Sequence, residues 1–196
     1  MLTAIIAAHE SERTLVPTLA ALVPGATAGV VSEVIVADGG SHDATAEVSD
    51  FAGCRLISSK DPVGARLKSA AAKARAPWLL FLRAGCVPEP GWIQAVECFT
   101  QGADLAERAA VFRPPGIAVQ LRPGLAELFA VFRLAFGGGP KPEQGLLIAR
   151  RFYDALGGHD ADDGAEVALL CKLGRRRIAM LACAASPPHR GSPGGS

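Results

Sequence analysis

The sequence predicts an α/β fold on a mostly parallel sheet, and three observations carry the expectation. Through the first half of the chain, short apolar runs alternate with longer segments of helical period, the pattern of βαβ units. At 196 residues the chain has the length of one domain. Its 49% hydrophobic and 20% charged residues suffice for a core and exclude a disordered chain.

Strands are expected over 2–8, 33–38, 54–58 and 78–83, where apolar residues run nearly unbroken. Between them, 10–22 carries Leu15, Leu19 and Leu22 at helical spacing, 42–51 follows, and 64–74 is rich in alanine. These are the crossover helices. Pro88, Pro90 and Gly91 open a helix over 92–100, and 104–112 reads as a further strand. From 113 to 142, Pro and Gly clusters flank one apolar helical segment, 125–136. Its Leu125, Leu128, Phe129, Phe132 and Phe136 suit a core face, a lid or a surface for an apolar partner, and core is favoured because such stripes usually face one. A strand over 144–149, a helical turn or two over 150–156 and a helix over 163–173 ended by Gly174 complete one domain, 1–185. The tail 186–196, rich in Pro, Gly and Ser, is expected to be disordered.

Lys plus Arg number 20 against 19 for Asp plus Glu, so a net charge of +1 supplies no bulk attraction to nucleic acid or acidic lipid. Any anion must be met locally. The five cysteines, Cys54, Cys86, Cys98, Cys171 and Cys183, form no C-x-x-C pair and no zinc spacing, which suits a reduced cytoplasmic protein with mostly buried thiols. The apolar run 2–8 lacks a basic flank and ends in His9-Glu10, unlike a signal peptide. No apolar stretch reaches the roughly 20 residues that cross a bilayer. Neither G-x-G-x-x-G nor G-x-x-x-x-G-K-[ST] occurs, which weakens dehydrogenase and P-loop readings.

Open α/β sheets bind ligands beyond the carboxyl ends of their strands, so the residues there are the first candidates. They are Ala8-His9-Glu10-Ser11, Asp38-Gly39-Gly40-Ser41-His42-Asp43 and Arg83-Ala84-Gly85-Cys86. The glycines permit a tight turn and close approach of a ligand, and Ser41 is placed to cap the next helix. Asp38 is then either an acceptor for a ligand or the carboxylate that holds its own turn's amides, with Asp43 complementing the helix dipole.

The order of elements and four local words resemble the family 2 glycosyltransferases, and among them the small bacterial radical-SAM/selenodomain-associated subgroup. The words are Ala4-Ile5-Ile6-Ala7-Ala8-His9-Glu10; Val34-Ile35-Val36-Ala37-Asp38-Gly39-Gly40-Ser41-His42-Asp43; Leu79-Leu80-Phe81-Leu82-Arg83-Ala84-Gly85; and Glu143-Gln144-Gly145 followed by Ala155-Leu156-Gly157-Gly158. The resemblance implies a GT-A fold, a three-layer αβα sandwich, with 113–142 as a variable segment on the acceptor side. It implies a UDP- or GDP-linked sugar donor bordered by Ala8, His9, Glu10, Gly39, Gly40, Arg83 and Gly85, with Asp38 on the base. Gln144 would lie on the acceptor or diphosphate side, as would His189 and Arg190 in the tail. Ordinary loop, helix-start and strand-start roles stand beside each of these assignments.

Two departures matter. The family carries an acidic D-x-D or H-A-D word after the fourth strand to hold Mg²⁺ or Mn²⁺, and here Arg83-Ala84-Gly85 supplies no carboxylate, so the main metal ligand is missing. The Arg83 guanidinium either replaces the metal, binding phosphate oxygens bidentately, or is a surface arginine in a decayed site. Where the family has Glu-Asp before a helix, Ala165-Glu166-Val167 stands, so Glu166 takes the place of the catalytic base, with Asp160, Asp162 and Asp163 as substitutes. Otherwise that acidic run is a solvated loop, with Asp163 or Gly164 capping the helix. Ser69 and Ala71 replace the family's Asn and Gly, and Arg175-Arg176-Arg177 suits a solvated cluster at a helix end. The expected function is inverting sugar transfer from a nucleotide-diphosphate donor to an unidentified acceptor, metal-independent where Arg83 replaces the metal. The alternative is a catalytically degenerate relative that binds a nucleotide or a protein; nucleotidyl transfer is weaker, since the Gly-rich, Arg-containing loop after the first strand is absent. No nucleic acid and no membrane-spanning segment enter the expectation, and peripheral membrane contact is left open.

Overall fold

A computed structural model describes residues 1–102, 107–115 and 139–187. The segment 125–136 and the pair His189 and Arg190 lie outside the described residues. β1 (Leu2–Ala8) pairs in parallel with β2 (Val31–Asp38) and with β4 (Trp78–Arg83), and β3 (Arg55–Ser58) adds in parallel outside β2. Beyond β4 lie β7 (Leu146–Ala149), β6 (Ala109–Arg113), β8 (Ile178–Ser186) and the short β5 (Val87–Pro88). The eight-stranded order is β3-β2-β1-β4-β7-β6-β8-β5. β7 is antiparallel to both β4 and β6, and β5 is antiparallel to β8, so these two alone among the eight run against the rest.

Side chains alternate across the strands and feed two cores. Ala4, Ile6, Leu80 and Leu82 face α1 (Glu12–Thr27) and α4 (Trp92–Gln101), which bring Leu15, Leu19, Leu22, Trp92 and Val96. Val48 of α2 (Thr45–Phe51) packs against that core. Ile5, Ile35, Leu79 and Ile148 face the opposite way, toward Leu67 of α3 (Val63–Lys73), Phe152 of α5 (Arg150–Ala155) and Leu169 of α6 (Ala165–Leu173). The result is the expected three-layer α/β arrangement.

Several expectations change. α1 runs past Leu22 and through Pro24 to Thr27, because the Trp92 indole N–H donates to the Ala21 carbonyl (3.1 Å) and Gly25 lets the ring lie on the last turn. A Cβ at Gly25 would meet that ring at 2.5 Å. The strand expected over 104–112 is Ala109–Arg113, and that expected over 144–149 begins only at Leu146, after a 3-10 turn Pro142–Gln144. No strand is expected from 178 onward, yet β8 runs there and takes Ser186 out of the expected tail. The thiols differ too: Cys86 and Cys183 are buried, Cys54 is half-buried, and Cys98 and Cys171 are exposed, all of them free. No helix among the described residues is long and apolar enough to cross a membrane.

Candidate functional site

Strand register lines up the carboxyl edge: Ala8 is level with Asp38, Asp38 with Ser58, and Ala7 with Arg83. The β1 and β2 loops are tied together across this edge. Gly39 N–H donates to the Ala8 carbonyl (2.9 Å), and a Cβ at Gly39 would press on the exposed His9 side chain, 2.8 Å from Nδ1 and 3.1 Å from Cβ. Glu10 sits at φ +48°, its N–H donating to Ser41 Oγ (2.9 Å) while its carboxylate accepts from the His42 N–H (2.9 Å). Asp43 accepts from the Glu12 amide and the Thr45 amide, both at 3.0 Å. Glu10, like Asp43, therefore fastens one loop to the other, and His9 is exposed beside them.

Asp38 is 2% exposed. Its carboxylate accepts from Gly40 N–H (2.9 Å), Ser41 N–H (3.1 Å), the Ser41 hydroxyl and the Ser58 hydroxyl (2.7 Å). Burial pushes its pKa up, but the two hydroxyls and two amides together hold it below the ordinary value. The carboxylate thus holds the turn that Gly40, at φ +77°, makes possible.

The two departures from the family pattern touch each other. Arg83, at the end of β4, donates from Nε to both Glu166 oxygens (3.1 and 3.0 Å) and from Nη2 to Oε2. Its Nη1 lies 3.8 Å from Glu143. The Glu166 hydrogen bonds raise the Arg83 pKa against the opposing effect of burial, with the Glu166 and Glu143 charges adding to the rise. Arg83's side chain is 37% exposed and that of Glu166 12%. Behind Glu166 is a cavity of about 20 Å³, walled in part by Phe81, Lys141, Leu146 and His159.

Other predicted residues are held in local roles. Gly85 is buried at φ +93°, and its N–H donates to Thr18 Oγ1 (2.8 Å). Gln144 donates to the Phe112 carbonyl (2.7 Å) and accepts from the Lys141 amide (2.8 Å), which fastens the 3-10 turn to β6 and leaves its neighbour Glu143 facing Arg83. Asp160 pairs with Lys172 (2.6 Å), while Asp163 accepts from the Val63 amide (3.2 Å), so it caps α3; Gly164 precedes α6. Two residues were missed by sequence reasoning. Glu143 is one, overlooked because Gln144 beside it matched the family word. The other is Arg66, whose Nη1 donates to the carbonyls of Ala8 (3.0 Å) and Ala37 (2.7 Å), closing the β1 and β2 ends. One turn into α3, it gave no signal beyond being a charge on a helix.

A divalent ion does not fit the end of β4. The carboxylates that come near it, Glu143 and Glu166, converge on the Arg83 guanidinium, and a dication there would meet a fixed positive charge. Among the described residues no group of three or more His, Cys, Asp or Glu side chains is placed to hold a metal.

The sheet order, the two helical layers and the site at the carboxyl ends of β1, β2 and β4 define a GT-A nucleotide-sugar transferase fold. The chain belongs to glycosyl transferase family 2, whose model matches residues 3–101. Solved structures of Mycobacterium tuberculosis glucosyl-3-phosphoglycerate synthase share this fold. Its complex with Mn²⁺, UDP and glucosyl-3-phosphoglycerate is 20% identical, with a TM-score of 0.66 over 92% of this chain and 68% of that one. The complex with Mn²⁺ and UDP-glucose is 18% identical, with a TM-score of 0.68 over the same shares. Another structure of that enzyme, 19% identical, gives 0.69 over 98% and 73%. No curated protein sequence matches the chain.

Proposed function

We propose that the protein transfers a sugar from a nucleotide-diphosphate donor to an acceptor hydroxyl with inversion, and does so without a metal at the end of β4. The observation that carries the reading is the meeting of Arg83 and Glu166 at the sheet's carboxyl edge. Arg83 takes the leaving diphosphate and Glu166 the acceptor's proton. The acceptor oxygen forms a bond to the anomeric carbon as the bond from that carbon to the diphosphate oxygen breaks. The electron pair leaves with the nucleoside diphosphate, whose added negative charge the guanidinium meets, and the hydroxyl proton moves to Glu166. Ala8, His9, Glu10, Asp38, Gly39 and Gly40 frame the nucleotide. The solved neighbours bind UDP or UDP-glucose, which makes UDP the first ligand to test and GDP the second.

Calorimetric titration with UDP, GDP and their sugar conjugates, in Mn²⁺ and in EDTA, tests this directly. Saturable binding that persists in EDTA is expected; binding only with Mn²⁺ would overturn metal independence. With an acceptor in hand, Glu166→Gln should reduce turnover by a factor of about 10² or more while nucleotide binding survives. Surviving turnover would remove Glu166 as the base. One observation favours a second reading, a non-catalytic nucleotide- or partner-binding relative: Arg83 and Glu166 satisfy each other, as a structural tie between β4 and α6 would. Absence of nucleotide binding under both conditions would favour it.

A further inference from the structure

We infer that the Arg83–Glu166 ion pair is a latch, opened by the sugar donor's own diphosphate, so that the base is released only when the donor is seated. The inference rests on the sugar-transfer reading above and deepens it. In an inverting displacement the attacking and leaving oxygens lie on opposite sides of the anomeric carbon. A base on the first and a guanidinium on the second are linked by successive contacts of about 3 Å, which keeps them roughly 7 Å apart or more. Here the two groups touch at 3.0 and 3.1 Å. The observed pair cannot serve both ends of the reaction, and it must separate first.

The surroundings say what separates it. Arg83 is the more exposed partner, so an incoming ligand reaches the guanidinium before it reaches Glu166. Glu143 stands at 3.8 Å on the other side, so two carboxylates already face one cation. Glu166 holds the Nε–Nη2 edge of the fork and Glu143 faces Nη1, so a diphosphate that takes the Nε–Nη2 edge displaces Glu166, and it can, because it presents paired oxygens to the same planar fork. Displaced, Glu166 keeps its place at the start of α6 beside the small cavity, its oxygens now open to an acceptor hydroxyl. Donor-first binding follows, and a base tied up in the donor's absence does not activate water or acceptor prematurely.

The experiment is a double-mutant cycle on UDP and GDP affinity in EDTA, using wild type, Glu166→Gln, Arg83→Ala and the double variant. The latch predicts that Glu166→Gln binds nucleotide roughly three- to fivefold more tightly, because the guanidinium no longer has the hydrogen-bonded Glu166 carboxylate to give up. In the Arg83→Ala background the same change should have no effect. Glu143→Gln measures the general benefit of removing a negative charge and should give a smaller gain. Glu166→Ala repeats the test with a different side chain, and urea midpoints confirm that each variant folds. Equal affinity for wild type and Glu166→Gln overturns the latch and leaves sugar transfer standing. Tightening that persists without Arg83, or that Glu143→Gln matches, also overturns it. If UDP and GDP bind none of the proteins, the latch and the sugar-transfer reading fall together.

Discussion

His159 is 2% exposed, with its ring against Phe81 and its Nδ1 2.9 Å from the Tyr153 hydroxyl. The same hydroxyl accepts from the His159 backbone N–H at 3.1 Å, so one phenol oxygen ties down both the ring and the backbone of His159. Burial pulls the imidazole pKa down to about 4; Asp160 opposes the fall, and Lys172 and Lys68 add to it. Above the ordinary value of 6.5 both folded and unfolded chains hold the neutral ring, and stability does not depend on it. Between 6.5 and about 4 the unfolded chain takes up a proton that the folded chain does not, so stability falls as pH falls through that window. The loss amounts to about 3 kcal/mol at most, at roughly 1.4 kcal/mol per pKa unit. His159→Phe should abolish this component: the difference in urea-unfolding free energy between variant and wild type should shift in the variant's favour as pH drops from 7 to 4. A difference that stays constant with pH would show that His159 is protonated in the folded protein. Nothing in the sequence announced this pair, because the Gly157-Gly158 word drew attention to the turn and away from the residue after it.

At the scale of elements, legibility tracked the continuity of the apolar signal. β1 and β4 begin and end as expected because each is an apolar run, broken only by Thr3 in β1, and closed by a polar or charged residue. β8 escaped because Ile178–Ser186 is mostly alanine and other small side chains, with no alternation and only Ile178 β-branched to mark a strand. The loop before α6 was read as a cap for α6, yet it also closes the start of α3: Gly64 N–H donates to the Asp162 carbonyl at 3.1 Å and Val63 N–H to Asp163. The approach leaves no room for a side chain. A Cβ at Gly64 would lie 2.0 Å from the Asp160 carbonyl oxygen and 2.4 Å from Ala165 Cβ. Gly64→Ala should therefore destabilise the protein by about 1–3 kcal/mol, as overpacking does, despite alanine's better helix propensity. A lowered urea midpoint with an unchanged slope is the expected result. A raised midpoint would mean that the 160–163 loop yields freely and does not fix Glu166.

For the whole molecule, the fold was more legible than the site, and the reason is sequence separation. Local words place Asp38, Arg83 and Glu166 at strand and helix ends, but that Arg83 meets Glu166, 83 positions away, follows only from the packing of α6 beside β4. β8 shows the same dependence at larger scale. It lies between β6 and β5, and it supplies Ile178 to the core under α3, α5 and α6 and Leu181, Cys183 and Ala185 to the core under α1 and α4. A strand shared by both cores couples the two helical layers, so its loss exposes apolar surface on both faces and leaves the β6 edge unpaired. A chain ended at Gly174 should consequently lose the whole cooperative transition, not merely soften one layer. Circular dichroism in urea should show a sloping loss of signal with no sigmoid. A sigmoidal transition at a midpoint near that of the longer chain would make β8 peripheral and would place the folding unit within the β1–β4 half and its helices.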